Sequence, residues 1–220
     1  MKMNLKIATG FWLAFVFGVV LSMDSPAQTA DCMAAEVNNK AITLSDLRII
    51  MAFGLEDGEP GRGEPATLAS VLERTIDRKV VLELAQEKMP VRPEEADAFL
   101  ENLTRSLGRE EAQRRLEEFG LDWSDLRAYV EEKLVFEKII SMRFSQSAVV
   151  SLKELEAYYN LTYLPAQQKL GRPARPMMQI LNEIEQRIRE EKTRTQVSSW
   201  ISGLRKQAEI RVNADCLKSQ

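Results

Sequence analysis

A mainly α-helical fold, with a small antiparallel strand pair joining the two ends of the chain, is what this 220-residue sequence predicts. Three observations lead there. Between residues 43 and 207, successive stretches repeat apolar residues at helical spacing and are bounded by helix starts and stops. Two short segments, AAEVNN from Ala34 and AEIRVN from Ala208, instead read as strands. Cys32 lies just before the first and Cys216 just after the second, so antiparallel pairing brings the two cysteines together.

The register of that pair can be argued further. Cys32 directly opposite Cys216 would set Val37 against Arg211, whereas matching apolar faces wants Val37 against Ile210 or Val212. A ladder shifted by one residue satisfies the side chains and leaves the sulfurs as neighbours beyond its end. A Cys32–Cys216 disulfide is expected in an exported chain with these two cysteines.

Export is itself an expectation from the first residues. Lys2 and Lys6 precede the apolar run Ile7 to Leu21, and small residues follow, so residues 1–27 are expected to be a cleaved signal peptide. Ala27 is favoured over Ala30 as the last residue removed, and an uncleaved anchor is the alternative because the run approaches spanning length. Asp31 immediately before Cys32 argues against lipidation. No second apolar run follows, so no stable membrane insertion is expected after cleavage.

After a turn at Asn38 to Lys40, a helix is expected from Ile42 to Gly54, with Thr43 or Ser45 as N-cap and Asp46 at its positive end. Residues 55–65 are crowded with Gly and Pro and read as a surface loop, whose Glu56, Asp57, Glu59 and Glu64 would repel phosphate. Leu68, Val71, Leu72, Ile76, Val80 and Leu84 define an amphipathic helix within 67–88. Pro93 and Gly108 punctuate the next helix, and Gly120 ends a shorter, polar one whose charges read as a solvated face. From the Asp122 cap, Leu126, Tyr129, Val130, Leu134, Ile140 and Phe144 mark a long central helix. Ser151 to Asn160 is a short helix and 161–176 a linker.

The last helix, from about Met177 to Gln207, changes its apolar side. Met177, Leu181, Ile184 and Ile188 form one stripe, and Val197, Trp200, Ile201, Leu204 and Ala208 lie nearly opposite. Such a helix must touch two different bodies or bend.

Several chemistries are excluded. The net charge is only −3 and is interleaved along helices, which leaves no footprint for nucleic acid. There is no histidine, so Ser-His-Asp and Cys-His catalysis and His-based metal sites are impossible. No phosphate-binding Gly-rich signature, HExxH or CxxC occurs, and no enzymatic activity and no cofactor are expected. What remains is an apolar surface. Met51, Phe53 and Leu55 lead into the acidic loop, Tyr158, Tyr159, Tyr163 and Leu164 open the linker, and Met177 and Met178 follow it. Aromatic and flexible Met side chains beside loops suit the holding of varied peptides.

The ordered pattern AAEVNNKAITLSDLR, LERTIDRKVVLELAQEKMPVRPEEADAFL, GLDWSDLRAYVEEKLVFEKII and VSLKELEAYYN resembles the N-terminal chaperone domain of SurA-like periplasmic proteins, over Ala34 to about Asn160. The resemblance implies a helical chaperone domain over 28–160, completed by a C-terminal helix and strand over 177–220. Family members usually carry parvulin-type prolyl isomerase domains where only 161–176 stands here, and the missing histidines agree with their loss. The implied function is a periplasmic, ATP-independent holdase for unfolded exported proteins, outer-membrane β-barrel precursors among them. Its groove is expected between the helical body and the last helix. A dedicated interaction subunit of an envelope complex and an atypical prolyl isomerase are the alternatives.

Overall fold

A computed structural model of the chain describes residues 31–56, 66–84, 89–145 and 149–218. The expected signal peptide, its cleavage positions at Ala27 and Ala30, and residues 57–65 of the acidic loop lie outside the described residues. Among the described residues, no helix is long and apolar enough to cross a membrane.

The two ends of this mainly helical chain meet in one antiparallel sheet. Strand β1 (Met33–Val37) is central, flanked by β2 (Lys40–Thr43) and β3 (Ile210–Val212). The ladder sets Val37 opposite Ile210 and Ala35 opposite Val212, one of the two registers that apolar matching allows. Continuing it would put Asp215 opposite Cys32; a 3₁₀ turn over Ala214–Lys218 takes up the extra residue. Cys216 comes to disulfide distance from Cys32, with Cα atoms 5.8 Å apart.

The sheet has one strand more than the expected pair. Asn38 and Asn39 both take positive φ, 47° and 67°, which makes the two-residue turn of a tight hairpin, and β2 follows at once. Four residues that run straight into a helix cap carry too little alternation to be read as a strand. A bulge lies between Met33 and Ala35, so Ala34 and Ala35 are both buried despite being neighbours.

Helix α1 (Leu44–Ala52) starts on Thr43, whose hydroxyl accepts from the Asp46 N–H while the Asp46 carboxylate accepts from the Thr43 N–H. Gly54, at φ 62°, turns the chain out of it. Helix α2 (Leu68–Leu84) buries Val71, Leu72, Ile76 and Val80 against the sheet and α1. Helix α3 (Pro93–Leu107), α4 (Arg109–Phe119) and the long α5 (Trp123–Phe144), capped by Asp122, complete the main core through Ala96, Leu116, Leu126 and Val130. The charges of α4 do pair along its surface, Glu111 with Arg114 at 2.8 Å and with Arg115 at 2.7 Å. Its inner side nevertheless buries Ala112 and Leu116 completely, and Arg115 donates to the Ala52 carbonyl.

The chain after Ser151 departs from expectation. Helix α6 (Leu152–Tyr158) does not give way to a linker: it continues through a π-helical turn over Tyr159–Tyr163 into α7 (Leu164–Lys169). Only residues 170–176 of the expected linker are free of helix. Pro165 lies in the first turn of α7, directly after the π-helical turn, and the helix passes through it. The last helix, α8 (Leu181–Arg205), is preceded by a 3₁₀ turn over Met177–Gln179.

Helix α8 touches two bodies, as its divided pattern requires. Ile184 and Ile188 pack with Ile180 and Leu155 of α6 in one small core, whereas Ile201 packs with Val81 of α2 and with Phe136 and Ile139 of α5 in another. Arg205 ties the far end of α8 to Asp77 and Glu73 of α2, at 2.7 and 2.9 Å.

Two carboxylates at helix starts also reach a neighbouring helix. Lys138 of α5, with the backbone and guanidinium of Arg92, holds the Glu95 carboxyl down to about 2; Lys192 of α8, with Ser151, does the same for Glu154. Each contributes stability fully above its ordinary value of 4.5 and loses it as pH falls towards about 2. The thermal midpoint is therefore expected to fall below pH 4.5, and more shallowly in the double variant Glu95→Gln, Glu154→Gln. An equally steep fall in that variant, followed by circular dichroism, would assign the acid sensitivity elsewhere.

Candidate functional site

The seam where α8 crosses α2 and α5 is not filled. Arg74 and Asp77 of α2, Phe136, Glu137, Ile140 and Ser141 of α5, and Val197 and Ile201 of α8 line an open cleft of about 480 Å³. Its floor is apolar: Phe136 and Ile201 are buried beneath, while Ile140 and Val197 are half-buried along the walls. The polar groups stand at the rim. The walls are braced from outside, because Trp200 of α8 packs edge-on against Phe144, with ring centres 5.6 Å apart, and the Arg143 guanidinium lies 4.6 Å from its ring centre.

The opening has a simple origin. The second stripe of α8 packs on α2 and α5 through Ile201 and Leu204, with Val197 one turn earlier, and the first stripe packs on α6. Ile140, one turn beyond Phe136, is then left without a complete cover.

The nine residues expected to form the binding surface do not line this cleft. Phe53 and Leu55 are fully buried in the main core, 1% and 0% exposed, and Met51 packs half-buried against it. Their position before a Gly- and Pro-rich loop suggested exposure, but the turn after α1 folds them inward. Tyr158, Tyr159, Tyr163 and Met177 are brought together around Leu155, Ile180, Ile184 and Ile188. Leu164 is half-buried on α7, and Met178 is 78% exposed beside this group. Phe136, Ile140, Val197 and Ile201, which line the cleft, read in the sequence as ordinary helical positions. The signal that could have found them is the changed side of the last helix, which exposes part of a stripe wherever two packing surfaces do not join.

Among the described residues, no three His, Cys, Asp or Glu side chains are placed to hold a metal ion. The arrangement can exclude water from apolar side chains and offer charged partners at its edge. No family model matches the chain, and no curated protein matches it in sequence.

Proposed function

We propose that the protein is a periplasmic, ATP-independent holdase of the SurA type without an isomerase domain, which keeps unfolded exported chains, outer-membrane β-barrel precursors among them, from aggregating. The observation that carries this reading is the apolar cleft between the helical body and the last helix. At about 480 Å³ it can take the few large side chains of an extended segment, and its openness to solvent suits weak binding of many sequences. The clasp of both chain ends in one sheet supports the same reading, since it lets a C-terminal helix complete a body begun by the N-terminal strand. Export rests on the pattern of residues 1–27.

The test is light scattering of a urea-diluted outer-membrane protein with equimolar mature chain. Suppression of aggregation is expected, and Ile140→Glu and Val197→Glu should each weaken it severalfold while leaving the helical circular dichroism intact. Full suppression by both folded variants would remove the cleft from the mechanism. No suppression by the native chain would leave a dedicated interaction subunit as the better reading.

A further inference from the structure

The structure assigns a second peptide site on α6–α7, for proline-rich segments carrying a basic residue, held shut by residues 172–176 of the same chain. This site is independent of the cleft. Within that segment, Arg-Pro-Ala-Arg-Pro, none of the five residues is in a helix or strand, and all are exposed. Pro176 has φ −53° and ψ 141°, which is polyproline II geometry, and Pro173 stands three residues earlier, one turn of such a helix. The ends of the segment are fixed, Arg172 donating its N–H to the Gln167 carbonyl and the Pro176 carbonyl accepting from the Gln179 N–H, and between them the extended backbone at Arg175 is met by side chains.

The π-helical turn supplies the recognition. Tyr159 and Tyr163 stack with ring centres 5.5 Å apart. The Tyr159 hydroxyl donates to the Arg175 carbonyl at 2.9 Å, and the Arg175 N–H donates to the Tyr163 hydroxyl at 3.1 Å. Both main-chain groups of one residue are thus taken by an aromatic pair. The side chain of the same residue is read separately: Glu183 of α8 holds the Arg175 guanidinium in a two-pronged pair, at 2.7 and 3.1 Å. Aromatic side chains are the surface on which proline-rich ligands dock elsewhere, and a carboxylate facing the guanidinium adds a preference for a basic residue. A π turn inside a helix also commonly marks a functional position.

The resident segment is weakly held. Its two hydroxyl bonds are solvent-exposed, and Arg175 and Glu183 are each about half exposed, so screening leaves the ion pair little net strength. Tethering, not contact strength, keeps the site closed, because a covalently attached ligand acts at an effective concentration on the order of millimolar. An incoming peptide of the same kind must outcompete that concentration.

The probe is a fluorescein-labelled Gly-Arg-Pro-Ala-Arg-Pro peptide, followed by fluorescence anisotropy with the full chain. Opening the site by Arg172→Ser, Pro173→Gly, Arg175→Ser and Pro176→Gly together should tighten binding at least tenfold over the native chain. Adding Tyr159→Phe and Tyr163→Phe should reverse the gain, and a peptide with its second arginine replaced by glutamate should not bind. The opened chain must keep its native circular dichroism and its native suppression of aggregation, which separates this site from the cleft. If the opened, folded chain binds the peptide no more tightly than the native chain, or binds it equally well without the tyrosine hydroxyls, the segment is a structural turn and the proposal is overturned.

Discussion

A disulfide between Cys32 and Cys216, which stand at bonding distance, is expected to contribute up to about 5 kcal/mol, a loss that reductant should reproduce. The pair closes a loop with a sequence separation of 184 residues, and in the chain-entropy model the constraint on the unfolded state grows with loop length. Measured values often fall below that figure, because an unfolded chain retains some structure. The C-terminal strand itself is short: β3 has three residues, anchored by its ladder to β1, by the packing of Ile210 on the main core, and by the Asn38 N–H and side-chain oxygen, which bond the Glu209 C=O and N–H at 2.9 and 2.8 Å. Urea unfolding of the chain carrying Cys32→Ser and Cys216→Ala should coincide with that of the native chain in reductant, and both should lie well below the oxidised protein. Amide exchange should rise first at Asn213, whose N–H bonds the Ala34 carbonyl. An oxidised protein whose urea midpoint does not respond to reductant would show that the sulfurs are not bonded.

Arg78→Ala is expected to destabilise by about 3 to 5 kcal/mol, through a cavity and an orphaned carbonyl together. Arg78 lies inside α2 and is 1% exposed, and its guanidinium donates to the Leu55 carbonyl at 2.5 Å. That carbonyl is one of three at the end of α1 that receive a cation from a distant helix. Arg115 of α4 takes Ala52, and Lys133 of α5 takes Glu56 at 3.0 Å. The three together fold Phe53 and Leu55 into the core. Arg78→Met fills most of the same space without the donor and should still lose roughly 1 to 3 kcal/mol, the cost of a buried carbonyl left unpaired. Equilibrium unfolding in urea reads both; a neutral Arg78→Met would mean that the side chain fills space and anchors nothing.

These two results bear on how the body is assembled. The clasp and the arginine anchor act on opposite sides of α1, one through β1 and β2, the other through the chain after Ala52. A cleft lined by α2, α5 and α8 keeps its shape only if those helices are fixed relative to one another, and α2 takes part in both the anchor and the cleft.

Local signals carried much of this fold into view. Thr43 and Asp122 announce helix starts through their own hydroxyl and carboxylate, and Gly54, Gly108 and Gly120 announce ends through positive φ. Apolar matching of Val37 to Ile210 or Val212 excludes the register that sets Cys32 against Cys216, because a one-residue slip turns every side chain to the other face, and the ladder takes the Ile210 option. The divided face of α8 likewise declares that it meets two partners. All of these rest on interactions within a few residues, or on a strict period, and both are written in the order of the amino acids.

What the sequence alone left undetermined depends on chain segments far apart. Phe53 and Leu55 stand among the candidate binding residues in the sequence, and what buries them is set by cations 23, 63 and 77 residues away that take the neighbouring carbonyls. The helix through Tyr163 was hidden by Pro165, which reads as a breaker until its place in a first turn is known. The cleft depends on how α2, α5 and α8 come together, and no periodicity encodes a crossing angle. Only in the tertiary structure do Ile140 and Val197 become a site, since a half-covered apolar side chain is distinguished from a core one by what fails to reach it.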